Sequence, residues 1–280
     1  MVTHRQSCIA VLSAWAALTA LGGVTVMDQF TMATGNLEGG GDGLGFAAAW
    51  DDAAATPAIT VAAGSLTSVA YSSRGFVADG NKANSPVGAG ANLDWTAGRQ
   101  LATALDMNSN ATYYFSWLVL GSWTNQSVKR GWNVGFSTVS NNLTGALSVK
   151  NLYNTGNLST ANGGTEFGPS VSNVLANGKV LFVVGKIQAL SNGSDTVLLK
   201  TFADSNTVPV TEIWDVSNAV ASAASLGYFV VAGRVNDGGS YYNFDEVRVG
   251  ESWNDVTQVP EAGWLLGAGV LALIVHRRRG

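Results

Sequence analysis

Short apolar runs, several of them alternating with polar positions, fill the middle of the chain. Residues 112–120 are mostly aromatic or β-branched and end at Gly121, which predicts a central strand of a β-sheet. Residues 132–136 alternate cleanly between apolar and polar side chains and predict a second strand. Both segments are of ordinary strand length.

A β-hairpin is the clearest local prediction. The alternating runs 180–190 and 196–202 lie on either side of an Asn192-Gly193 pair. Asn-Gly favours the tight turns whose twist matches two antiparallel strands, because both residues tolerate positive φ. We therefore expect these two runs to pair with each other.

Weaker patterns cover the region between the amino terminus and the central strand. Residues 58–61 and 66–71 predict short strands bounded by Pro57 and glycines. Glycine and proline recur through residues 72–109, and this punctuation predicts a loop-rich segment.

The carboxy-terminal part of the body predicts one helix and one further pair of strands. The Ala-rich residues 216–225 contain few turn formers, which favours a short helix. Residues 228–234 and 242–249 predict a last strand pair joined across 236–239. Strands at this spacing without helices between them favour an antiparallel β-sandwich over a parallel α/β sheet. We expect one all-β domain over residues 24–257.

The amino-terminal residues 1–23 have the pattern of a secretory signal. Arg5 precedes an apolar run over residues 8–21, and small residues follow it. We expect cleavage between residues 17 and 24. A buried helix of a globular domain is the alternative interpretation of the run.

The last segment, residues 258–280, combines a short polar motif, an apolar run and a basic cluster. The run 262–275 has 14 residues, about 21 Å as a helix, against a hydrocarbon core of about 30 Å. Trp264 stands at its outer end, and Arg277, Arg278 and Arg279 follow it, where they can reach lipid headgroups. The segment predicts a short transmembrane helix with its arginines in the cytoplasm, held either temporarily or as a permanent anchor.

Composition restricts the chemistry that the body can perform. Cys8, His4 and His276 are the chain's only cysteine and histidines, and all lie in the terminal segments. Residues 24–259 therefore offer no thiol nucleophile, imidazole base or zinc site of the usual kinds. They contain 11 Lys or Arg and 18 Asp or Glu, a net charge of −7, which gives no electrostatic reason to bind nucleic acid.

Carboxylates are the remaining catalytic candidates. Glycosidases need two acidic residues on either side of the sugar bond, but Asp245 and Glu246 are adjacent and are expected to face opposite sides of a strand. Glu246 and Arg248 are two positions apart, which predicts an exposed ion pair on one face. A structural role for Asp245 is therefore favoured over catalysis.

Two kinds of ligand remain open. Calcium prefers oxygen ligands in Gly-rich loops, and its candidate ligands are Asp42, Asp51, Asp52 and Asp237, with solvated turns as the alternative. Trp123 and Trp132 are candidates for a sugar-stacking surface, although aromatic residues on strands more often belong to the core. No cofactor other than calcium is suggested.

The body resembles the laminin-G-like, concanavalin-like jelly rolls of exported bacterial proteins. The resemblance lies in the Gly-rich turns of residues 28–50, the strand at 112–118, and the Phe244–Gly250 segment that contains Asp245 and Glu246. It implies a fold rather than an activity.

The tail resembles the PEP-CTERM sorting signal, which an exosortase recognises. Val259, Pro260 and Glu261 match its motif, whereas Ala262 stands where the family usually has a second proline. The resemblance implies export, transient attachment to the inner membrane, processing near Pro260, and delivery to the surface or extracellular matrix of a Gram-negative bacterium that makes exopolysaccharide.

The sequence thus predicts an exported, non-enzymatic surface or matrix protein, with polysaccharide as a candidate ligand. The alternative is a glycoside hydrolase on a concanavalin-like fold.

Overall fold

A computed structural model describes residues 24–52, 58–87, 93–124, 131–142, 147–151, 156–162, 165–193, 195–220, 225–235 and 239–257. Within these ranges the chain forms sixteen strands and two short helices. In chain order they are β1 (Val24–Asp28), β2 (Gly35–Asn36), β3 (Phe46–Asp51), β4 (Thr60–Ala63), α1 (Val69–Ser72), β5 (Asn81–Asn84), β6 (Leu93–Asp106), β7 (Ala111–Ser122), β8 (Gly131–Ser137), β9 (Leu147–Asn151), β10 (Leu158–Asn162), β11 (Thr165–Val171), β12 (Val180–Ala189), β13 (Asp195–Ala203), β14 (Val216–Val220), β15 (Ser225–Val235), β16 (Tyr241–Gly250) and α2 (Trp253–Thr257).

The strands form two antiparallel sheets that pack face to face. Sheet A has the order β14-β13-β12-β7-β16-β5-β4-β2, and β1 also pairs with β16. Sheet B has the order β11-β10-β9-β8-β15-β6-β3. The predicted all-β antiparallel sandwich is therefore confirmed.

Alternation places one set of large side chains between the sheets. Phe115 and Trp117 of β7 point inward from sheet A, and Trp132 and Phe136 of β8 point inward from sheet B. Trp117 and Trp132 meet edge to face with their ring centroids 6.4 Å apart. Their burial supplies the main hydrophobic driving force for closing the sandwich.

The outer face of sheet A carries a second apolar layer under a cover that we call the cap. The cap consists of residues 64–80 with α1, residues 204–214, and α2. Leu118, Phe182 and Phe202 of sheet A pack against cap residues such as Tyr71 and Trp253. Around β7, β12 and β13 the sheet therefore carries apolar side chains on both faces, as expected for strands covered on both sides.

Buried polar contacts join the two sheets at both lateral edges. At one edge, Asn218 Nδ2 of β14 donates to Thr160 Oγ1 of β10 at 2.6 Å. At the other, Arg99 of β6 forms an ion pair with Asp28 of β1, with an Nη1–Oδ2 distance of 2.5 Å, and both side chains are buried. These contacts hold the edges of the sandwich together.

Three predicted features are confirmed. The 112–120 segment lies in β7, between β12 and β16 inside sheet A, so it is a central strand. The 132–136 segment forms β8, and the two runs around Asn192-Gly193 form the antiparallel pair β12 and β13.

Two predicted elements take the opposite secondary structure. The predicted helix at 216–225 is wrong over its described part, because β14 pairs with β13 there and tertiary pairing outweighs the Ala-rich composition. The predicted strand at 66–71 is also wrong. Ser68 caps α1 by accepting from Tyr71 N, and the packing of Ala70 and Tyr71 supports the short helix.

Two errors concern strand pairing. The segment expected to be loop-rich contains β5 and the 14-residue β6. The pattern of β6 was obscured because Arg99 occupies an inward position that is satisfied by Asp28. The predicted last pair does not form, because β15 lies in sheet B and β16 in sheet A.

Candidate functional site

A β-bulge brings Asp245 and Glu246 to the same face of sheet A. The pairing of β16 with β7 shifts register between Asp245 and Arg248, and Glu246 has a φ of 53°, in the left-handed region. An extra residue in one strand reverses the normal alternation of faces. The prediction that these two carboxylates point to opposite sides is therefore wrong.

Both carboxylates are bonded to the cap segment 64–80. Asp245 Oδ2 accepts from Leu66 N at 2.7 Å. Glu246 Oε1 accepts from Asp79 N at 3.1 Å, and Glu246 Oε2 accepts a short hydrogen bond from the Tyr71 hydroxyl. The two side chains thereby fasten this segment to sheet A near both of its ends.

Arg248 completes the buried cluster. Its Nη2 lies 3.5 Å from Glu246 Oε2, with the two side chains 8% and 0% exposed. Its guanidinium also stacks 4.1 Å above the Phe76 ring of the cap. The two residues share one face as predicted, but the prediction of an exposed pair is wrong because the cap covers them.

Burial sets the electrostatics of the cluster. Burial, followed by the charge of the neighbouring Glu246 carboxylate, raises the pKa of Asp245 to about 8, although hydrogen bonds from backbone N–H groups lower it. Burial also raises the pKa of the Tyr71 hydroxyl well above its usual value. Because Asp245 and Glu246 are fully buried and bonded to the cap, this pair lacks the open geometry that sugar-bond hydrolysis requires.

A cavity of about 400 Å³ lies in the cap above this cluster. Its wall includes Tyr71, Val69, Val77 and Asp204. Tyr71 connects the cavity wall to Glu246 beneath it. Most of the lining is apolar, so the cavity offers shape and hydrophobic contact rather than a set of reactive groups.

The described calcium candidates make separate local hydrogen bonds. Asp42 Oδ2 accepts from Thr31 Oγ1 at 3.3 Å, and Asp51 Oδ2 accepts from Ser140 Oγ at 2.7 Å. Among the described residues, no three His, Cys, Asp or Glu side chains are grouped closely enough to hold a metal ion. Asp237 lies outside the described residues.

Asp52 is the most perturbed of these candidates. Its Oδ2 accepts from Ile59 N at 3.1 Å, and its backbone N donates to Glu38 Oε2 at 2.5 Å. Burial and the adjacent Glu38 raise the pKa of Asp52 to about 6. These contacts hold two turns together.

The outer face of sheet B carries a row of polar residues that sequence reasoning missed. Thr96 of β6, Asn133 of β8 and Lys150 of β9 lie in one row, with the apolar Ala232 of β15 between Thr96 and Asn133. Two residues further along β15, Arg234 forms a bidentate ion pair with Asp94 of β6, with Nε–Oδ1 and Nη2–Oδ2 distances of 2.5 and 2.6 Å.

Two buried polar atoms on this face have no hydrogen-bond partner among the described residues, namely Asn133 Oδ1 and Ser148 Oγ. Ser148 is 4% exposed and lies diagonally across from Asn133, because it pairs with Gly135. Buried polar groups are normally hydrogen-bonded, so these two atoms are exceptions within the described part of the chain. The alternation around Trp132 already implied that Asn133 faces away from the core.

Trp123 and Trp132 belong to the core. They are 9% and 1% exposed and are packed among inward-facing side chains, so these two rings do not form an exposed stacking platform.

The sorting residues lie outside the described part of the chain. These are Val259, Pro260, Glu261, Trp264, Arg277, Arg278 and Arg279. The predicted signal at residues 1–23 lies outside it as well. Within the ranges that the structure covers, neither helix is long or apolar enough to cross a membrane.

Comparison with known proteins gives only distant similarities. No protein-family profile and no curated protein sequence matches the chain. Among solved structures it is similar to the marine PL-14 alginate lyase from Aplysia kurodai, at 9% identity and a TM-score of 0.44 over 62% of this chain and 84% of that one. It is also similar to an endo-β-1,4-glucuronan lyase from Trichoderma reesei, at 12% identity and a TM-score of 0.42 over 71% of this chain and 88% of that one. Its similarity to lectin II from Ulex europaeus has 11% identity and a TM-score of 0.37 over 61% of this chain and 86% of that one.

Proposed function

We propose that this chain is an exported, non-enzymatic surface or matrix protein of a Gram-negative bacterium. Its body, of concanavalin-like jelly-roll type, is delivered by an exosortase-type enzyme that recognises the tail. The body binds polysaccharide through the outer face of sheet B.

The observation that supports the sorting proposal is the packing of α2 shortly before the motif. Val256 and Thr257 in α2 are fully buried, and Ser116 Oγ of β7 donates to Val256 O at 2.9 Å. The motif residues Pro260 and Glu261 follow within four positions of Thr257. Cleavage at the motif would therefore release the body without removing a residue that its described core uses.

The polar row on sheet B supports polysaccharide binding. Asn133 and Thr96 are partly exposed on this face and supply an amide and a hydroxyl that can exchange hydrogen bonds with a ligand. Sugar hydroxyls both donate and accept hydrogen bonds, so they suit such groups. Tyr228 adds an aromatic ring at the margin of the same face, where it packs against Val230 and Ala232.

Charge favours a neutral polysaccharide over a uronate-rich one. The body has a net charge of −7, which repels polyanions. On the proposed face the Arg234 guanidinium is already paired with Asp94. This pair lowers the pKa of the Asp94 carboxyl through its hydrogen bonds with Arg234, so both groups stay charged and matched near neutral pH.

The intact mass of the chain recovered from culture medium and from membranes tests the sorting proposal. We expect a mature form that starts near residues 17–24 and lacks Arg277, Arg278 and Arg279. A variant with Pro260→Ala and Glu261→Ala should keep its tail and remain in the membrane fraction. A mature wild-type protein that still contains Arg279 would contradict processing at the motif.

A further inference from the structure

The cap carries the most exposed large hydrophobic side chains of the described residues. Val77, Val210 and Val69 are 77%, 68% and 58% exposed, and Ile213 is also exposed. Single exposed hydrophobic residues are common on soluble proteins. Here the three most exposed belong to one structural unit, the cap.

Hydrogen bonds hold the three cap segments against one another. Val69 N donates to Asp204 Oδ1 at 2.9 Å, and Val208 N donates to Ser73 Oγ at 3.2 Å. Trp253 Nε1 of α2 donates to the carbonyl of Pro209 at 3.1 Å, next to Val210. The exposed valines therefore lie on adjoining segments, and two of them line the cap cavity.

The predicted tail starts from this same unit. α2 ends at Thr257, and Trp264 follows seven residues later. Seven extended residues reach at most about 25 Å. While the tail is in the bilayer, the cap is accordingly held close to the membrane surface.

The charges near these valines indicate which lipid surface would suit them. Asp79, Asp204, Glu251 and Asp255 belong to the cap or lie beside it. The nearby cations are Arg74 and Lys82, whose Nζ donates to the Gly64 carbonyl at 2.7 Å. An excess of acidic residues disfavours anionic headgroups. A zwitterionic phospholipid surface avoids this repulsion and accepts small apolar side chains at its interface.

We propose that the Val69, Val77 and Val210 surface of the cap rests on zwitterionic phospholipid while the tail holds the chain in the membrane. This inference rests on the proposed sorting function. The contact orients the body so that the motif before Trp264 lies at the bilayer surface and the outer face of sheet B remains available to ligand.

A fluorescent label sensitive to polarity tests the contact in the full chain. Cys8→Ser removes the native thiol, and Val77→Cys introduces one on the cap. Val139→Cys is the matched control, since Val139 is an exposed valine following β8 of sheet B. Each protein is labelled and reconstituted into phosphatidylcholine and phosphatidylethanolamine vesicles, which are then floated on a density gradient.

We expect both labelled proteins to float and only the label at position 77 to shift to the blue. Val69→Ser with Val210→Ser should reduce that shift, and added phosphatidylglycerol should reduce it further. Flotation with no shift at position 77, or a shift that grows with phosphatidylglycerol, would overturn the inference and leave the sorting proposal standing. Leu271→Arg places a charge in the apolar run, and flotation that survives this change would instead contradict attachment through the tail.

Discussion

The two outer faces of the sandwich differ in what covers them. On sheet A, Phe182 and Leu118 point outward into a second apolar layer beneath the cap. On sheet B, Thr96 and Asn133 point outward in a polar row. The same alternation thus gives one face that is apolar beneath a cover and another that carries polar side chains.

This contrast also explains where the carboxylates lie. Asp245 and Glu246 are on the covered face, where they bind the cap from below. Their burial suits a fastening role, because buried polar groups are tolerated when they are hydrogen-bonded, and Glu246 is also paired with Arg248. Asn133 Oδ1 and Ser148 Oγ, two buried atoms without a partner among the described residues, lie on the opposite side of the molecule.

The largest expected effect comes from breaking the apolar layer under the cap. Phe182 is fully buried between Tyr71 and Phe202. Phe182→Ala should lower the free energy of unfolding by about 4 kcal/mol. Urea denaturation measures this loss of unfolding free energy. Thr96→Ala on sheet B is the control and should change the free energy of unfolding by less than about 0.5 kcal/mol. Equal losses at both positions would contradict the contrast between the faces.

The second effect concerns the carboxylate fastening. Glu246→Ala should cost about 3 kcal/mol, because it leaves the buried Arg248 guanidinium and the Tyr71 hydroxyl without their acceptor. Glu246→Gln keeps an acceptor oxygen and should cost less. The two variants can be compared by the same denaturation experiment and by limited proteolysis within residues 64–80. An alanine variant as stable as wild type would show that the cap does not depend on this residue.

The third effect is a pH dependence. The pKa of Asp245 is about 8 in the folded chain against 3.8 for the free side chain. Between these values only the folded state keeps the proton, so stability falls as pH rises, by up to about 1.4 kcal/mol per pH unit. Unfolding at pH 5.5 and pH 7.5 measures the slope. Asp245→Asn, which cannot lose a proton, should flatten it, and an unchanged slope in that variant would assign the dependence to other groups such as Asp52.

The smallest effect is expected for the ion pair on sheet B. Arg234 and Asp94 are 33% and 65% exposed, and exposed pairs contribute less than about 1 kcal/mol. Arg234→Gln should therefore change the melting temperature by only a few degrees, about 4 °C at most for a domain of this size. A larger fall in the melting temperature would mean that this ion pair is needed for the stability of the fold.

The sequence predicted the elements that are determined by residues close together in the chain. The hairpin depended on Asn192-Gly193, and the central strand on its own run of aromatic residues. Contacts between residues far apart in the sequence could not be predicted in this way. Arg99 looked like a break in a strand until Asp28, far away in sequence, was seen to neutralise it.

The candidate site was likewise only partly predictable from the sequence. The strand containing Asp245 and Glu246 was recognised, but the bulge at Glu246 depends on pairing with β7 and reverses the expected facing. Nothing local indicated that the cap would bury Arg248. Asn133 could be assigned an outward direction from its neighbours, whereas its unpartnered oxygen could be found only once the face was assembled.

Native gel electrophoresis of the full chain through gels containing dextran or alginate tests whether the outer face of sheet B binds polysaccharide. We expect dextran to retard the wild type more than alginate does, without shortening the polysaccharide. Asn133→Ala on sheet B should lose the retardation, whereas Asn36→Ala, an exposed residue of sheet A, should keep it. Retardation unaffected by Asn133→Ala, or its absence in both polysaccharides, would contradict the outer face of sheet B as the polysaccharide-binding surface.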